Sequence, residues 1–212
     1  PRQFETPMPA PEHFLAVDTE GTPEDPICVS WSSGLVSGVW WAGEPNPPKL
    51  DGLLGFHNAL WDWAVLKALG YNRIQEQPFV DTMERAYVRR EPTKGLKGLA
   101  WRHLRMKLPT WEETCAPHYH AALRTEAERR VKATTTVVTH SPKGKLLKKP
   151  KTVIASEGGK ALARALNNPE LLAKRLGAPP MSLRYVPREE AESYAIKDAV
   201  ATARLMMLWE MV

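Results

Sequence analysis

The chain has 212 residues, of which 43% are hydrophobic and 25% are charged, and these values are typical of one well-packed globular domain. It contains no apolar run as long as a transmembrane helix and no signal peptide, and its two cysteines, Cys28 and Cys115, exclude a disulfide framework. We therefore expect a cytoplasmic protein without a membrane partner.

The positive charge is concentrated in one segment. Residues 124–151 contain nine Lys and Arg against two Glu, a net charge of +7, whereas the whole chain carries +5. The remainder is therefore slightly acidic. A local basic patch is typical of proteins that bind a polyanion, most often nucleic acid.

The two ends of the chain allow two interpretations. The chain begins at Pro1 instead of a methionine and ends in the apolar segment 208–212. Either it is a fragment of a longer polymerase-type protein, or it is a processed chain whose tail packs on its own core. In both cases we expect residues 1–212 to form a single domain.

The first half of the chain predicts short strands followed by strands that alternate with helices. The predicted strands are residues 14–17, 27–31, 35–41, 53–56 and 79–80, and the predicted helices are 59–69, 81–89 and 93–104. The first three strands are separated by turn residues, which favours an antiparallel meander. This order predicts an α/β fold with a mixed sheet and helices on its faces.

The first strand ends in two acidic residues. Side chains two apart on a strand share a face, so Asp18 and Glu20 point together and Thr19 points away. Two carboxylates on one face repel each other, and a divalent cation between them removes the conflict; oxygen ligands suit Mg²⁺ or Mn²⁺. The alternative is that the strand has ended and both acids are solvated.

The last predicted helix, residues 187–212, carries a tyrosine and an acid on its packing face. Tyr194 and Asp198 are four residues apart and therefore lie side by side. Such groups are costly to bury unless they have partners or a function. Asp62 raises a similar question, because it lies among apolar residues near the start of a helix, where interaction with the helix dipole is the simpler explanation.

The segment 109–186 predicts a basic β-hairpin followed by short helices. Residues 134–139 and 151–154 read as its strands, 141–144 as its turn, and 159–176 as helix interrupted at 167–169. We expect the hairpin lysines to contact a nucleic-acid backbone, although a solvated flap is the alternative. These lysines are Lys145, Lys148 and Lys149.

Five motifs in this order resemble those of the DEDD family of 3′→5′ exonucleases, in particular its tyrosine-bearing branch and the proofreading domains of family A DNA polymerases. The similarity covers about residues 14–105 and 187–212. The motifs are Val17-Asp18-Thr19-Glu20, Gly55 to Asp62 with Asn58 four residues before the acid, Asp81-Thr82-Met83, Gly95 to Ala100, and Tyr194 to Asp198.

The resemblance implies an RNase H-like fold and hydrolysis of phosphodiester bonds with two Mg²⁺ or Mn²⁺ ions. Asp18 would bridge both ions, Glu20 and Asp198 would hold the ion beside the nucleophile, and Asp62 would support the second ion, largely through water. Tyr194 would orient the attacking water, because a phenol is a weak base at neutral pH.

The resemblance also implies how a substrate is held. The partner would be the 3′ end of single-stranded DNA, with a polymerase domain following in the same chain. Asn58 would hydrogen-bond the strand near the scissile phosphate, and Trp61 would stack on a base. His57 and Thr19 are further candidate substrate contacts.

The chain departs from the family pattern at two places. The segment 109–186 is longer than usual, so we interpret it as an insertion, and residues 21–24 lack the apolar side chain that in family members wedges between the terminal bases. Two other functions stay open: a non-catalytic nucleic-acid-binding module of the same fold, and an RNA-trimming exoribonuclease. A zinc site at Cys115, His118 and His120 is a weaker hypothesis, because no fourth ligand is evident.

Overall fold

The computed structural model describes residues 14–140, 146–154 and 156–211. The chain divides into two compact units. The first contains residues up to Thr114 together with those from Pro187 onward, and the second contains Cys115–Val186. The second unit falls within the segment 109–186 that the sequence marks as an insertion, and a single domain over residues 1–212 stays a prediction.

The first unit contains a five-stranded mixed sheet in the order β3-β2-β1-β4-β5. The strands β1, β2 and β3 form an antiparallel meander, and β4 and β5 continue the sheet in parallel with β1. The predicted α/β fold with a mixed sheet is therefore confirmed. The strands are β1 Phe14–Gly21, β2 Pro26–Ser32, β3 Ser37–Trp41, β4 Leu53–Phe56 and β5 Phe79–Asp81.

The first unit also contains four helices. They are α1 Ala59–Ala68, α2 Thr82–Val88, α3 Leu96–Leu99, which continues as a π-helical turn over Ala100–Leu104, and α7 Arg188–Leu208. The remaining elements are α4 Trp111–Ala133, β6 Thr135–His140, β7 Leu146–Ile154, α5 Glu157–Ala165 and α6 Pro169–Leu176. Short 3-10 turns lie at Ile74–Glu76 and Leu183–Tyr185. Among the described helices, none combines the length and apolar character needed to cross a membrane.

The two faces of the sheet have separate apolar cores, and the pleat of β1 assigns its residues to them. Val17 packs in the core that includes Leu66 of α1, whereas Ala16 packs against Met206 of α7. Successive residues of a strand alternate between faces. The even-numbered Asp18 and Glu20 therefore belong to the α7 face, and Thr19 belongs to the α1 face.

The helix α7 approaches the sheet closely because small residues line the contact. Ala191, Ala195 and Ala199 are fully buried. The Ser30 hydroxyl on β2 donates a hydrogen bond of 2.9 Å to the Ala195 carbonyl, which fixes the helix along the strand. A Cβ atom added at Gly55 of β4 would lie 1.9 Å from the Met206 sulfur, so this position has no room for a side chain.

The Asp81 carboxylate caps two helices at once. Its oxygens accept hydrogen bonds from the N–H groups of Met83 and Glu84 in the first turn of α2, and from those of Asn58 and Ala59 at the start of α1. An acid at a helix N-terminus satisfies backbone donors that have no partner within the helix. Asp81 therefore links the two strand-to-helix turns beside the sheet.

The predicted strand 35–41 begins too early. Leu35 and Val36 are 96% and 68% exposed and belong to a turn, in which the Ser33 N–H donates to the Val36 carbonyl. Gly34 has φ 84°, a left-handed conformation that favours glycine, and this reverses the chain before the strand starts at Ser37.

The predicted last helix runs too far. The helix α7 ends at Leu208 because Glu210 adopts φ 52° and the Met211 N–H donates a hydrogen bond to the Met206 carbonyl, a helix-terminating arrangement.

The 23-residue α4 was not predicted from the sequence. It contains Pro117, and proline normally interrupts helices.

The second unit contains most of α4, the hairpin and two short helices. The predicted hairpin is confirmed as the antiparallel pair β6 and β7. The strand β7 begins at Leu146, earlier than predicted, because a two-stranded ribbon tolerates Pro150. The predicted turn 141–144 lies outside the described residues. The predicted interruption at 167–169 is confirmed, since Asn168 caps α6 through a 2.9 Å bond from the Leu171 N–H.

The contact between β4 and α7 generates a stability prediction. We expect Gly55→Ala to lower the free energy of unfolding by about 1–3 kcal/mol, because the new methyl group overpacks against the buried Met206. Thermal unfolding would measure this. Gly95→Ala is the matched control, since Gly95 has φ −72° and no atom within 4 Å of an added Cβ. Equal melting temperatures for the two variants would contradict the close approach.

Candidate metal centre

Three carboxylates from two distant parts of the chain meet beside the sheet. One carboxylate oxygen from each of Asp18, Glu20 and Asp198 lies within 4.8 Å of the others. The pleat of β1 turns Asp18 and Glu20 to the same face, and α7 packs on that face with Asp198 directed at them. All three are oxygen donors, and such a set suits a hard divalent cation. We call these three residues the acidic cluster.

Burial and mutual repulsion oppose ionisation of the acidic cluster. Burial, followed by the charges of Glu20, Asp62 and Asp198, raises the pKa of Asp18 well above its usual range. Burial, with Asp198 next, raises the pKa of Glu20 to about 8. The pKa of Asp198 is also raised by burial, although Lys97 opposes the shift. Added positive charge would therefore favour deprotonation of the cluster.

Lys97 is the basic residue nearest the acidic cluster. Its Nζ lies 2.9 Å from Oδ2 and 3.4 Å from Oδ1 of Asp198. The same Nζ lies 3.4 Å from the Tyr194 hydroxyl and 4.7 Å from the centre of its ring. Lys97 was not predicted as a site residue from the sequence. The available signal was its place between Gly95 and Gly98 within a recognised motif.

Tyr194 stands one helical turn before Asp198 and is directed to the same region. It is 6% exposed, and Trp111 packs edge-on against its ring with the ring centres 6.3 Å apart. Trp111 was not identified from the sequence. Because the Trp111 ring and the Lys97 ammonium both contact Tyr194, the phenol is held in a defined position beside the acidic cluster.

Asp62 is on α1 and is held by Thr19, and its charge adds to burial in raising the pKa values of Asp18 and Glu20. Its Oδ1 accepts bonds of 3.0 Å from the Thr19 N–H and 2.8 Å from the Thr19 hydroxyl, and the residue is 3% exposed. Burial raises the pKa of Asp62 to about 8, although the two Thr19 bonds act in the opposite direction. Asp62 is not part of the group of three, and its role as a ligand of a second ion stays a prediction.

An open cleft of about 390 Å³ leads to the acidic cluster. Its lining combines acidic and aromatic side chains with the start of α3, which is flanked by glycines. Its volume is that of a small-molecule site. The lining residues are Asp18, Thr19, Glu20, His57, Gly95, Leu96, Lys97, Gly98, Tyr194 and Asp198.

His57 is held beside the cleft by Thr82. Its Nδ1 lies 2.8 Å from the Thr82 hydroxyl, which donates a hydrogen bond of 3.0 Å to the Phe56 carbonyl. Burial lowers the pKa of His57 to about 4, which keeps the ring neutral. A neutral His57 lines the cleft, and its contact with a substrate stays a prediction.

Two other predicted substrate contacts, Asn58 and Trp61, are not among the residues that line the cleft. Asn58, with φ 83°, and Trp61, 47% exposed, stand at the start of α1. Lys145 lies outside the described residues. Lys148 and Lys149 are on β7, and the structure does not describe their side chains. Contacts of these residues with a substrate stay predictions.

The hypothesis of a zinc site finds no support in the part of the chain that the structure describes. Cys115, His118 and His120 all lie on α4. They do not form a group with metal-ligand spacing, whereas Asp18, Glu20 and Asp198 do.

Comparison of the chain with protein-family models gives no match, and neither does comparison with curated proteins. What indicates the function of this chain is therefore the geometry of its site and the resemblance of its motifs.

The raised pKa values predict how stability depends on pH without metal. The pKa of Glu20 is about 8 in the folded state against 4.5 as its ordinary value, so the folded state binds more protons between these limits. We therefore expect the melting temperature of the metal-free protein to fall as the pH rises from about 5 to about 8.5. Mn²⁺ or Mg²⁺ should reverse the fall, by about 2.7 kcal/mol at 100 times its dissociation constant.

Two variants separate this effect from a general response to pH. Asp18→Asn should raise the metal-free melting temperature at about pH 8.5, since it removes a repelling charge, and should abolish the response to metal. Glu24→Gln, an exposed position on the turn after β1, should behave like the wild type. A full metal response in Asp18→Asn would contradict the proposed centre.

Proposed function

We propose that this chain is a metal-dependent 3′→5′ exonuclease that hydrolyses phosphodiester bonds at DNA 3′ ends. The observation that carries the proposal is the meeting of Asp18, Glu20 and Asp198 within 4.8 Å, with Tyr194 one helical turn from Asp198 in the same cleft. The resemblance to the tyrosine-bearing DEDD exonucleases supports the proposal, because it implies a site that contains these four residues together with Asp62.

The topology of the sheet supports the proposal. An antiparallel meander of three strands, extended by two parallel strands in the order β3-β2-β1-β4-β5, is compatible with an RNase H-like fold. In this arrangement the first strand is central, so its end is accessible to helices on both faces. That position suits a site built from β1 and α7.

The residues of the chain have distinct tasks in this proposal. Asp18, Glu20 and Asp198 bind the cation, which when bound would lower the pKa of a water molecule and offset charge on the phosphate. Tyr194 orients the attacking water through its hydroxyl. Asp62 holds the end of β1 through Thr19, so the two acids of that strand keep their direction.

The cleft beside the acidic cluster, of about 390 Å³, is large enough for a small ligand, which is compatible with a terminal nucleotide. The exposed Trp61 on α1 offers a stacking surface for a base beyond the cleft.

A second candidate function is nucleic-acid binding without catalysis. The net charge of +7 over residues 124–151 favours it, because backbone binding needs basic side chains and no metal centre. Cleavage assays distinguish the two functions directly.

We expect the protein with Mn²⁺ or Mg²⁺ to shorten 5′-labelled single-stranded DNA progressively from its 3′ end. Asp18→Asn and Asp198→Asn should lower the rate by about 10³-fold, since each removes a ligand of the cation. Glu24→Gln is the matched acidic control and should cleave normally. An RNA substrate run in parallel measures the preference between DNA and RNA.

Normal cleavage by Asp198→Asn would show that the assigned site is wrong. Tight DNA binding with no cleavage under any divalent cation would favour the binding module instead.

The basic hairpin generates a separate prediction. Replacing Lys145, Lys148 and Lys149 with alanine should weaken binding of single-stranded DNA and reduce the salt slope by about 2, since each lost phosphate contact contributes about 0.7. Binding is measured in the Asp18→Asn background, which prevents cleavage. Replacing the exposed Lys49, Lys67 and Lys107 is the charge-matched control. Equal slopes for the two triple variants would assign the hairpin no role in binding.

A further inference from the structure

We infer that Lys97 is a built-in counter-cation of the acidic cluster, and that a divalent cation must displace it from Asp198 in order to bind. The inference deepens the proposed function, since it concerns the same site and rests on the proposal that this site binds metal. It assigns a role to a residue that the motif resemblance leaves without one.

The Lys97 ammonium contacts the same carboxylate that would bind the metal. Its Nζ reaches both oxygens of Asp198, at 2.9 and 3.4 Å, and therefore lies across the carboxylate and not beside it. Asp198 is one of the three ligands of the acidic cluster. A cation coordinated by Asp198 would meet a like charge within hydrogen-bonding distance of its ligand.

The charge balance of the cleft explains why an ammonium is held there. Three acids of the cluster line the cleft, and Lys97 is its one lysine or arginine among the described lining residues. His57, the other basic residue of the lining, is neutral near pH 7 because burial lowers its pKa to about 4. Lys97 therefore supplies the positive charge that partly offsets the cluster in the absence of metal.

The backbone of Lys97 is fixed, whereas its side chain has a route out. Leu96 and Leu99, on either side of it in α3, are 8% and 0% exposed and pack in an apolar cluster that contains Leu205 of α7. The Lys97 side chain is 31% exposed. Its four-carbon stem can therefore move the ammonium off Asp198 toward solvent without a change in the helix.

Two consequences follow from this arrangement. Lys97 stabilises the metal-free protein, because it reduces repulsion among buried acids. It also weakens metal binding, because displacing it costs the ion pair. A lysine with a purely structural role would produce the first effect without the second.

The test titrates Mn²⁺ into the full chain by calorimetry in the absence of nucleic acid. We expect Lys97→Met, which keeps the apolar stem, to bind Mn²⁺ about tenfold more tightly than the wild type. The same variant should melt at a lower temperature without metal and gain more from saturating Mn²⁺. Lys107→Met is the control for net charge, since Lys107 is exposed and lies outside the cleft. An unchanged or weaker Mn²⁺ affinity in Lys97→Met would overturn the inference.

A second measurement uses the wild-type protein, in case the variant does not fold. Lysine acetylation by an amine-reactive ester, read by mass spectrometry, should modify Lys97 several-fold faster after saturation with Mn²⁺, whereas Lys107 serves as the internal reference. Equal rates with and without Mn²⁺ would overturn the inference. A wild-type chain that binds no Mn²⁺ would instead refute the proposed metal centre.

Discussion

The structure depends on keeping like-charged carboxylates together in a poorly hydrated place. Asp18, Glu20 and Asp198 are close together, and burial raises the pKa of each, with neighbouring acids adding to the shift at Asp18 and Glu20. Their proximity is imposed by packing, since the alanine-lined face of α7 lies against the sheet and Ser30 fixes its position. The energy of the surrounding core thus holds an arrangement that is unfavourable by itself, as is common at functional sites.

The alternation of one strand connects the two faces of the sheet at this point. Asp18 and Glu20 face α7, whereas Thr19 between them faces α1 and donates two hydrogen bonds to Asp62. A displacement of α1 would therefore move Thr19 and, with it, the neighbouring Asp18 and Glu20 of the acidic cluster. Asp81 adds to this coupling, because it caps both α1 and α2. Asp62 and Asp81, two acids of the motifs, therefore position neighbouring elements through hydrogen bonds in addition to contributing charge.

The sequence predicted which side chains share a face wherever a strand or helix has a regular side-chain period. The period of two on β1 and the four-residue spacing of Tyr194 and Asp198 are local rules, and both placed their residues on common faces. Lys97 could not be found in this way, because a short helix has no periodic pattern and its partner is 101 residues away. The helix α4 was missed because of Pro117, and the bond between Thr19 and Asp62 depends on how two distant elements pack.

The discontinuity of the first unit has a consequence for how the protein is made. Its last helix returns to the sheet only after the separate unit Cys115–Val186 has been synthesised. Contacts of such long sequence separation form slowly, because a large loop must close before they are gained. During translation the nascent chain therefore carries Asp18 and Glu20 before Asp198 has been made. The acidic cluster can form only after α7 has been synthesised and has packed on the sheet.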